Sequence, residues 1–463
     1  MRSLGERRLD TTHGVAESLA IAPIISVGLA AYALAAYAGG ATPAAMLIAF
    51  IGALCLGWVF VQFARRYAGA GTVYEYLARA GPQLLGVIVA GSYFVVAVLA
   101  AGGGLLSGLL IEDFCAKQLG FDPGWWAGGV AVLVVVALLL YLGVRLSTRL
   151  ILTLSVIASL PLIVLAVVIL AKGGAHGLTL AAFDPGRGDV VQALLYAVLL
   201  FGGFESAACL GEESRNPHRS IPRAMVLAIV ACGVFYIFVL YAATMAFGMD
   251  QAAKVWGSNP LAVIDLGDKW VGAPLSGLIQ AGTIVDLTAF LIAVTNVISR
   301  GYFVLARDGL LPRALSTVSR RGTPIGGIAL VIGANAVLML VAAPFDDRFQ
   351  VFQATLTANP LISLVVYLVL CLLALRLLAS RGGPAWGYAV VVVGAAVPGF
   401  GLYGSFVPFP HGARLAGLLI AVASVAVSAV WAVWLWVRNR TTILGAGRHA
   451  RVAEPEGAVS VTA

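Results

Sequence analysis

Polar punctuation divides the chain into twelve apolar segments, each of helix length, and this succession leaves little choice of fold. They run at roughly 15–38, 42–64, 83–110, 125–143, 149–171, 190–210, 223–248, 272–299, 324–343, 350–375, 386–406 and 414–437. A hydrocarbon core about 30 Å thick takes about 20 apolar residues of helix, whereas a membrane strand needs only about ten. Of the 463 residues 61% are hydrophobic and 11% are charged, where a soluble domain carries about 25% charge. The expectation is an all-α integral membrane protein with twelve transmembrane helices.

The basic residues orient it. An even number of spans puts both termini on one side. With that side cytoplasmic, 22 of the 29 lysines and arginines fall inside, and only Lys117, Lys172, Arg187, Lys254, Lys269, Arg348 and Arg414 fall outside. The positive-inside rule then predicts a multi-pass protein of the cell (plasma) membrane with both termini cytoplasmic. The net charge of +8 is explained by topology, so nucleic acid is not an expected partner. Trp431, Trp434 and Trp436 next to Arg438 look like an interfacial anchor closing the last span. Residues 1–14 read as a polar cytoplasmic tail without a cleavable signal pattern. Residues 441–463, small and polar, read as a disordered cytoplasmic tail. Cys55, Cys115, Cys209, Cys232 and Cys371 lack metal-type spacing and read as packing residues. No metal and no cofactor is expected.

Two spans are interrupted. Span 1 contains Ala22-Pro23-Ile24-Ile25-Ser26-Val27-Gly28, and span 6 contains Phe201-Gly202-Gly203-Phe204-Glu205-Ser206. Proline removes a backbone donor, glycine costs about 1 kcal/mol in a helix interior, and a carboxylate at bilayer depth costs several kcal/mol. The breaks fall in the first helix of two successive five-helix blocks, and five is odd, so the second block enters the membrane inverted. Disrupted helices at matched positions of two halves point to a midplane binding site. Half-helix N-termini suit a carboxylate and half-helix C-termini suit a cation, so the pair suits a zwitterion. The plainer alternative is that Pro23 only kinks span 1 and Gly202-Gly203 only allows close packing.

The same stretches carry a family resemblance. Phe201 to Glu205, Glu212 to Pro217 with Ile221-Pro222-Arg223-Ala224, Ala70 to Tyr76, and Ser299-Arg300 through Ala306-Arg307-Asp308-Gly309-Leu310-Leu311-Pro312 with Thr323-Pro324 resemble the amino acid–polyamine–organocation (APC) superfamily of permeases. The resemblance implies a LeuT-type fold: a 5+5 inverted repeat with helices 1 and 6 broken, plus two additional helices. On it the chain divides into a transport core at 15–378 (repeat 1 about 15–171, repeat 2 about 190–378) and two further helices at 379–440. It implies secondary active transport of an amino acid or related amine, coupled to protons or to counter-substrate. This chain departs from the family in keeping only Ser26-Val27-Gly28 of a Gly-Ser-Gly type break. It also lacks a lysine in span 5, which removes a lysine-based coupling mechanism.

The expected substrate-binding residues are Ile25, Ser26, Gly28, Phe201, Gly202, Gly203 and Phe204, the aromatics serving as a thin gate by the resemblance. Glu205 and Asp286 are the intramembrane carboxylates, expected in proton coupling or charge recognition. Glu205 would alternatively cap the second half-helix. Asp286 shares a small, polar helical face with Gly282, Ala289, Ala293 and Asn296, and would alternatively be buried structural glue. Glu212, Glu213, Arg215, Arg219, Arg307 and Asp308 form a candidate cytoplasmic latch, with solvated loop charges as the alternative. Tyr93 is a candidate for lining the path, and Asn359-Pro360 for kinking span 10.

Other classes fit less well. All five histidines lie in predicted loops or tails, so an intramembrane histidine base or metal cluster is missing and no enzyme is expected. There is no Gly-x-Ser-x-Gly elbow and no Gly-Lys-Ser/Thr phosphate loop. Nor is there a ring-forming selectivity sequence for a channel. Proton-coupled symport of a neutral amino acid is the first expectation. Uptake of a cationic amino acid or polyamine, or amino acid exchange, is the second. The expected partners are the small-molecule substrate, protons and the lipid bilayer.

Overall fold

The computed structural model describes residues 4, 9–22, 27–100, 102–448 and 451–452. It is built almost wholly of helix: α1 (Thr11–Ile21), α2 (Val27–Ala30), α3 (Tyr32–Ala38), α4 (Thr42–Ala64), α5 (Val73–Ala80), α6 (Gln83–Ala100), α7 (Gly103–Phe114), α8 (Trp125–Leu142), α9 (Val144–Ala171), α10 (Val190–Phe201), α11 (Pro217–Phe247), α12 (Ala252–Val255), α13 (Ala262–Trp270), α14 (Ala273–Arg307), α15 (Ile325–Ala342), α16 (Arg348–Arg381), α17 (Ala385–Phe406), α18 (Gly412–Arg438) and α19 (Arg440–Leu444). Among the described residues, ten helical runs are long and apolar enough to cross a membrane. The two remaining expected spans are subdivided. The first is split into α1, α2 and α3, and 11 residues of α1 reach only about 16 Å. The third is divided between α6 and α7.

Among the described residues, helix stops before the expected span 1 break and at the span 6 glycines. In span 1, α1 ends at Ile21 and helix resumes at Val27, while residues 23–26, Ile25 and Ser26 among them, lie outside the described residues. In span 6, α10 stops at Phe201, Gly203 takes φ 96°, and the chain continues as a 3-10 helix over Phe204–Leu210. Burial marks the inner helices. α10 with its 3-10 extension is buried along most of its length, whereas α18 presents Val427, Val430 and Val437 outward. Outward-facing valine and leucine are what a helix in lipid should show. α4 packs on α10, α11 and α17, and the 35-residue α14 packs on α7, α9 and α15. α1 lies against α9, α11, α14 and the 3-10 segment, and α16 lies against α6, α17 and α18.

The tail expected to be disordered is structured at its start. α19 buries Ile443, and a two-residue strand β2 (Arg451–Val452) pairs antiparallel with β1 (Tyr67–Ala68), Tyr67 opposite Val452 and Ala68 opposite Arg451. The composition is polar overall, but Ile443 and Ala446 find an apolar seat, and the backbone beyond them finds hydrogen-bond partners on the α5 side of the molecule. Residues 453–463 lie outside the described residues.

Candidate functional site

The geometry of the span 6 break is set by Gly203. A Cβ there would sit 2.1 Å from Ile21 Cγ2, and its positive φ is one that L side chains rarely adopt. Both constraints demand glycine, and together they let the end of α1 lie directly on the break. Ser18 of α1 secures it further. Its hydroxyl donates to the Phe204 carbonyl at 2.8 Å and accepts from the Ala207 amide at 3.3 Å. α1 is thus tied directly to the span 6 break.

Glu205 follows immediately and is buried. Its Oε2 accepts the Gly203 amide at 3.1 Å, and its Oε1 accepts the hydroxyls of Tyr367 at 3.2 Å and Tyr93 at 3.4 Å. One carboxylate therefore joins the break, α6 and α16. The bond from the Gly203 amide fits the capping reading of Glu205. Ionised, the carboxylate accepts all three without conflict; protonated on Oε2 it would still accept both tyrosine hydroxyls at Oε1, and only the bond from the Gly203 amide would weaken.

Glu205 lines a cavity of about 150 Å³, the size of an apolar cavity that takes up benzene. Gly202, Gly203 and Ser206 form its wall at the break, with Ile21 and Tyr32 from the first span. Leu287 and Phe290 of α14 and Phe349, Phe352 and Leu356 of α16 give it an apolar flank. Pro360 also lines it. α16 runs through this proline unbroken, but Pro360 has no N–H to donate to the Leu356 carbonyl one turn earlier. Asn359 and Ser363 add polar groups beside it. The Asn-Pro pair, read from sequence as a kink in span 10, also forms part of the cavity wall.

Several expected site residues sit elsewhere. Gly28 is buried, its carbonyl accepts the Trp256 indole N–H at 3.2 Å, and a Cβ on it would meet Val263, so it serves packing against α13. Phe201 stacks with Phe50 at 6.0 Å and meets Tyr236 at 5.6 Å, and Phe204 packs edge-on to Phe60 at 5.0 Å. Neither aromatic is among the cavity residues, because the glycines between them turn the chain and both rings point into helix contacts. Asp286 is buried on the expected face of α14, but the cavity wall is formed by its neighbour Leu287 and by Phe290. One residue on a helix is a 100° rotation, enough to put the carboxylate behind the wall. Tyr32, Tyr367, Phe349 and Phe352 escaped sequence reading because an aromatic in a membrane helix carries no signal that separates a cavity wall from packing.

Charged pairs cluster on the face bearing the termini. Arg300 pairs with Glu213 at 2.7 Å and Arg307 with Glu212 at 2.7 Å. The Asn296 amide donates to Glu17 at 2.7 Å, and Arg300 also reaches Asn296. Tyr74 donates to Asp308 at 2.6 Å. The candidate latch is therefore built around Glu212, Glu213, Arg307 and Asp308, while Arg215 and Arg219 are exposed. Arg300 and Glu17, both fully buried, belong to the same cluster. Beside it, Glu75 of α5 is buried, and burial first, then the nearby Glu212 and Asp308 charges, push its carboxyl up to about 8 against the opposing pull of Arg307. On the opposite face, the Gln353 amide donates to the Tyr32 hydroxyl and Phe349 packs on Tyr32 at 6.1 Å.

Comparison with known proteins follows this geometry. A sequence model of the family described as "Amino acid permease" matches residues 16–438. An uncharacterized transporter of Mycobacterium tuberculosis is 32% identical over 71% of this chain and 72% of its own length. The branched-chain amino acid permease BcaP of Bacillus subtilis is 25% identical over 71% of this chain and 73% of its own. The methylthioribose transporter of the same organism is 27% identical over 65% and 68%.

Proposed function

The chain belongs to the amino acid permease family, a family of transporters and not of enzymes, and on that premise we propose that it carries a neutral amino acid with an apolar side chain across the membrane by alternating access, driven by protons. The spans are then twelve: α1 to α3 count as the first, α6 with α7 as the third, and α10 with its 3-10 extension as the sixth. They form a five-plus-five inverted repeat with two added helices. Both termini are cytoplasmic and the membrane is the plasma membrane. The cavity would hold one substrate molecule. Its apolar flank of Leu287, Phe290, Phe349 and Phe352 suits a branched or aromatic side chain, in keeping with the name of the Bacillus subtilis branched-chain permease. The substrate ammonium would face Glu205, the carbonyl end of α10 and the Leu356 carbonyl. Its carboxylate would face the span 1 break at Ile25 and Ser26.

The observation that carries the reading is the junction at Glu205. An ionised Glu205 ties Tyr93, Tyr367 and the Gly203 amide together. Protonation at Oε2 sets the carboxyl's own O–H against the Gly203 amide and loosens the tie to the break, while both tyrosine bonds stay at Oε1. A proton at this oxygen is thus converted into movement at the wall of the substrate cavity. Asp286, behind that wall, is the second proposed proton carrier.

The test is uptake into proteoliposomes under an imposed pH gradient, with labelled leucine, phenylalanine, arginine and putrescine. Accumulation of leucine or phenylalanine only under the gradient is the expected result. Accumulation of arginine or putrescine instead would assign Glu205 to substrate charge. Rapid exchange without net uptake would make the protein an antiporter, and transport of none of the panel would overturn the amino acid reading.

A further inference from the structure

The C-terminal segment is tied to the closed face by bonds that a solvated tail would not make. The Gly447 amide donates to Asp308 at 2.7 Å and to the Tyr74 hydroxyl at 2.9 Å, and both acceptors are buried in the cluster described above. Arg79 of α5 donates from Nε to the Gly447 carbonyl and from Nη2 to the Arg448 carbonyl, each at 2.8 Å. Gly447 has φ 71° and lies over Ala78 and Arg79. Four residues further on, β2 pairs with β1, which directly follows α4. The backbone at Gly69, next to β1, passes so close to the chain after the 3-10 segment that a Cβ on Gly211 would sit 2.3 Å from the Gly69 carbonyl.

These ties have a direction. β1 extends from the end of α4, Tyr74 and Arg79 lie on α5, and Asp308 caps the end of α14. One short peptide therefore ties three separate helix ends together beside the Arg307–Glu212 pair. Opening the cavity toward this face requires those ends to part. Backbone pairing and a bifurcated amide bond are made or lost as a unit, so the segment acts as a strap and not as scattered surface contact.

We propose that the C-terminal segment, through residues 440–448 and 451–452, forms an autoinhibitory strap that holds the termini-side gate shut, and that its release raises the rate at which the cavity opens to that side. The proposal rests on the alternating-access reading above, but its first readout does not require the substrate to be known. Ser206, in the cavity wall on this side, is replaced by cysteine, and labelling by a small membrane-impermeant thiol reagent applied from the termini side is measured against the parent chain. In a chain ending at Asn439, labelling is expected to quicken by roughly fivefold or more. A synthetic peptide of residues 440–452 should slow it again. If the truncated chain is not monodisperse, Gly447→Pro removes the amide donor and Arg79→Gln removes the carbonyl clamp in the full-length chain, and each should give the same direction. The converse test uses the strand register: an Ala68→Cys and Arg451→Cys pair, once oxidised, should slow labelling and substrate exchange together, and reduction should restore both. Unchanged labelling in the truncated, Gly447→Pro and cross-linked forms would overturn the strap. A chain whose labelling responds to the strap but which transports nothing would keep the strap and sink the transport reading.

Discussion

At the scale of single residues, Gly203 and Glu205 carry the most. Gly203 has two separate reasons to be glycine, and they can be pulled apart. An alanine there meets Ile21 Cγ2 at 2.1 Å and a φ of 96°. Overpacking costs about 1–3 kcal/mol and the left-handed backbone about 1–2 kcal/mol more. Gly203→Ala should therefore lower thermal stability and abolish transport. Adding Ile21→Ala should recover the steric part only, and a double-mutant cycle on melting temperature measures the split. Full additivity would show that Ile21 is not what Gly203 makes room for. Glu75 supplies a pH dependence of determined sign. Its carboxyl stands at about 8 in the folded chain against an ordinary 4.5, so the folded state holds a proton that the unfolded state has released. Stability must then fall as pH rises from about 4.5 to 8 and level off beyond. Glu75→Gln should flatten that slope in a melting-temperature series, and an unchanged slope would place the titration on another group. Glycines beside a carboxylate inside an apolar run were legible in sequence because each is costly there. Tyr93 and Tyr367, which complete the Glu205 site, were weakly legible or silent, since a tyrosine in a membrane helix needs a partner for its hydroxyl but does not say which.

At the scale of elements, helix interruptions were readable and helix faces were not. Pro23 and Gly202-Gly203 announce breaks because proline and glycine act on the backbone wherever they stand. Which side chains then face the cavity depends on rotations that no local signal fixes. Asp286 lies behind the wall, while Leu287 lies in it. Pro360 leaves α16 continuous but denies the Leu356 carbonyl its usual helix donor, and both residues line the cavity. Pro360→Ala returns a donor to that carbonyl. The variant should melt higher, by the equivalent of up to about 3 kcal/mol, and should bind substrate more weakly, because the freed carbonyl is no longer available to an ammonium. Higher stability with unaltered substrate affinity would reduce Pro360 to a packing feature. The tail shows the opposite failure. Its polar composition concealed a docking sequence of only a few residues, since strand pairing and a bifurcated amide bond depend on backbone and leave almost no mark on composition.

At the scale of the whole molecule, the two faces are closed by unlike means, and the difference predicts which opens first. The termini-side face is held by the buried Arg300–Glu213 pair, the partly buried Arg307–Glu212 pair and the strap. At the cavity's other end lie a Gln353–Tyr32 hydrogen bond and a Tyr32–Phe349 ring contact, with an Arg414–Tyr37 hydrogen bond further out. A ring contact and one neutral hydrogen bond are each worth about 1 kcal/mol, so the Tyr32 contacts are the easier of the two sets to part from this state. The buried pair should behave differently in folding and in transport. Arg300 and Glu213 are almost inaccessible, at 1% and 5%, so Arg300→Met leaves an uncompensated buried charge and should cost about 3–5 kcal/mol. Arg300→Met with Glu213→Leu removes both charges and should recover most of that stability, because well-packed apolar replacements of buried pairs are often neutral or better. Transport should not recover with it. Without the pair, the termini-side face no longer closes against the other, so gradient-driven accumulation should fall while exchange persists. The discriminating measurement is melting temperature and accumulation in the same three proteins. If accumulation returned along with stability, the pair would be a folding device, and gating of this face would fall to Arg307–Glu212 and the strap.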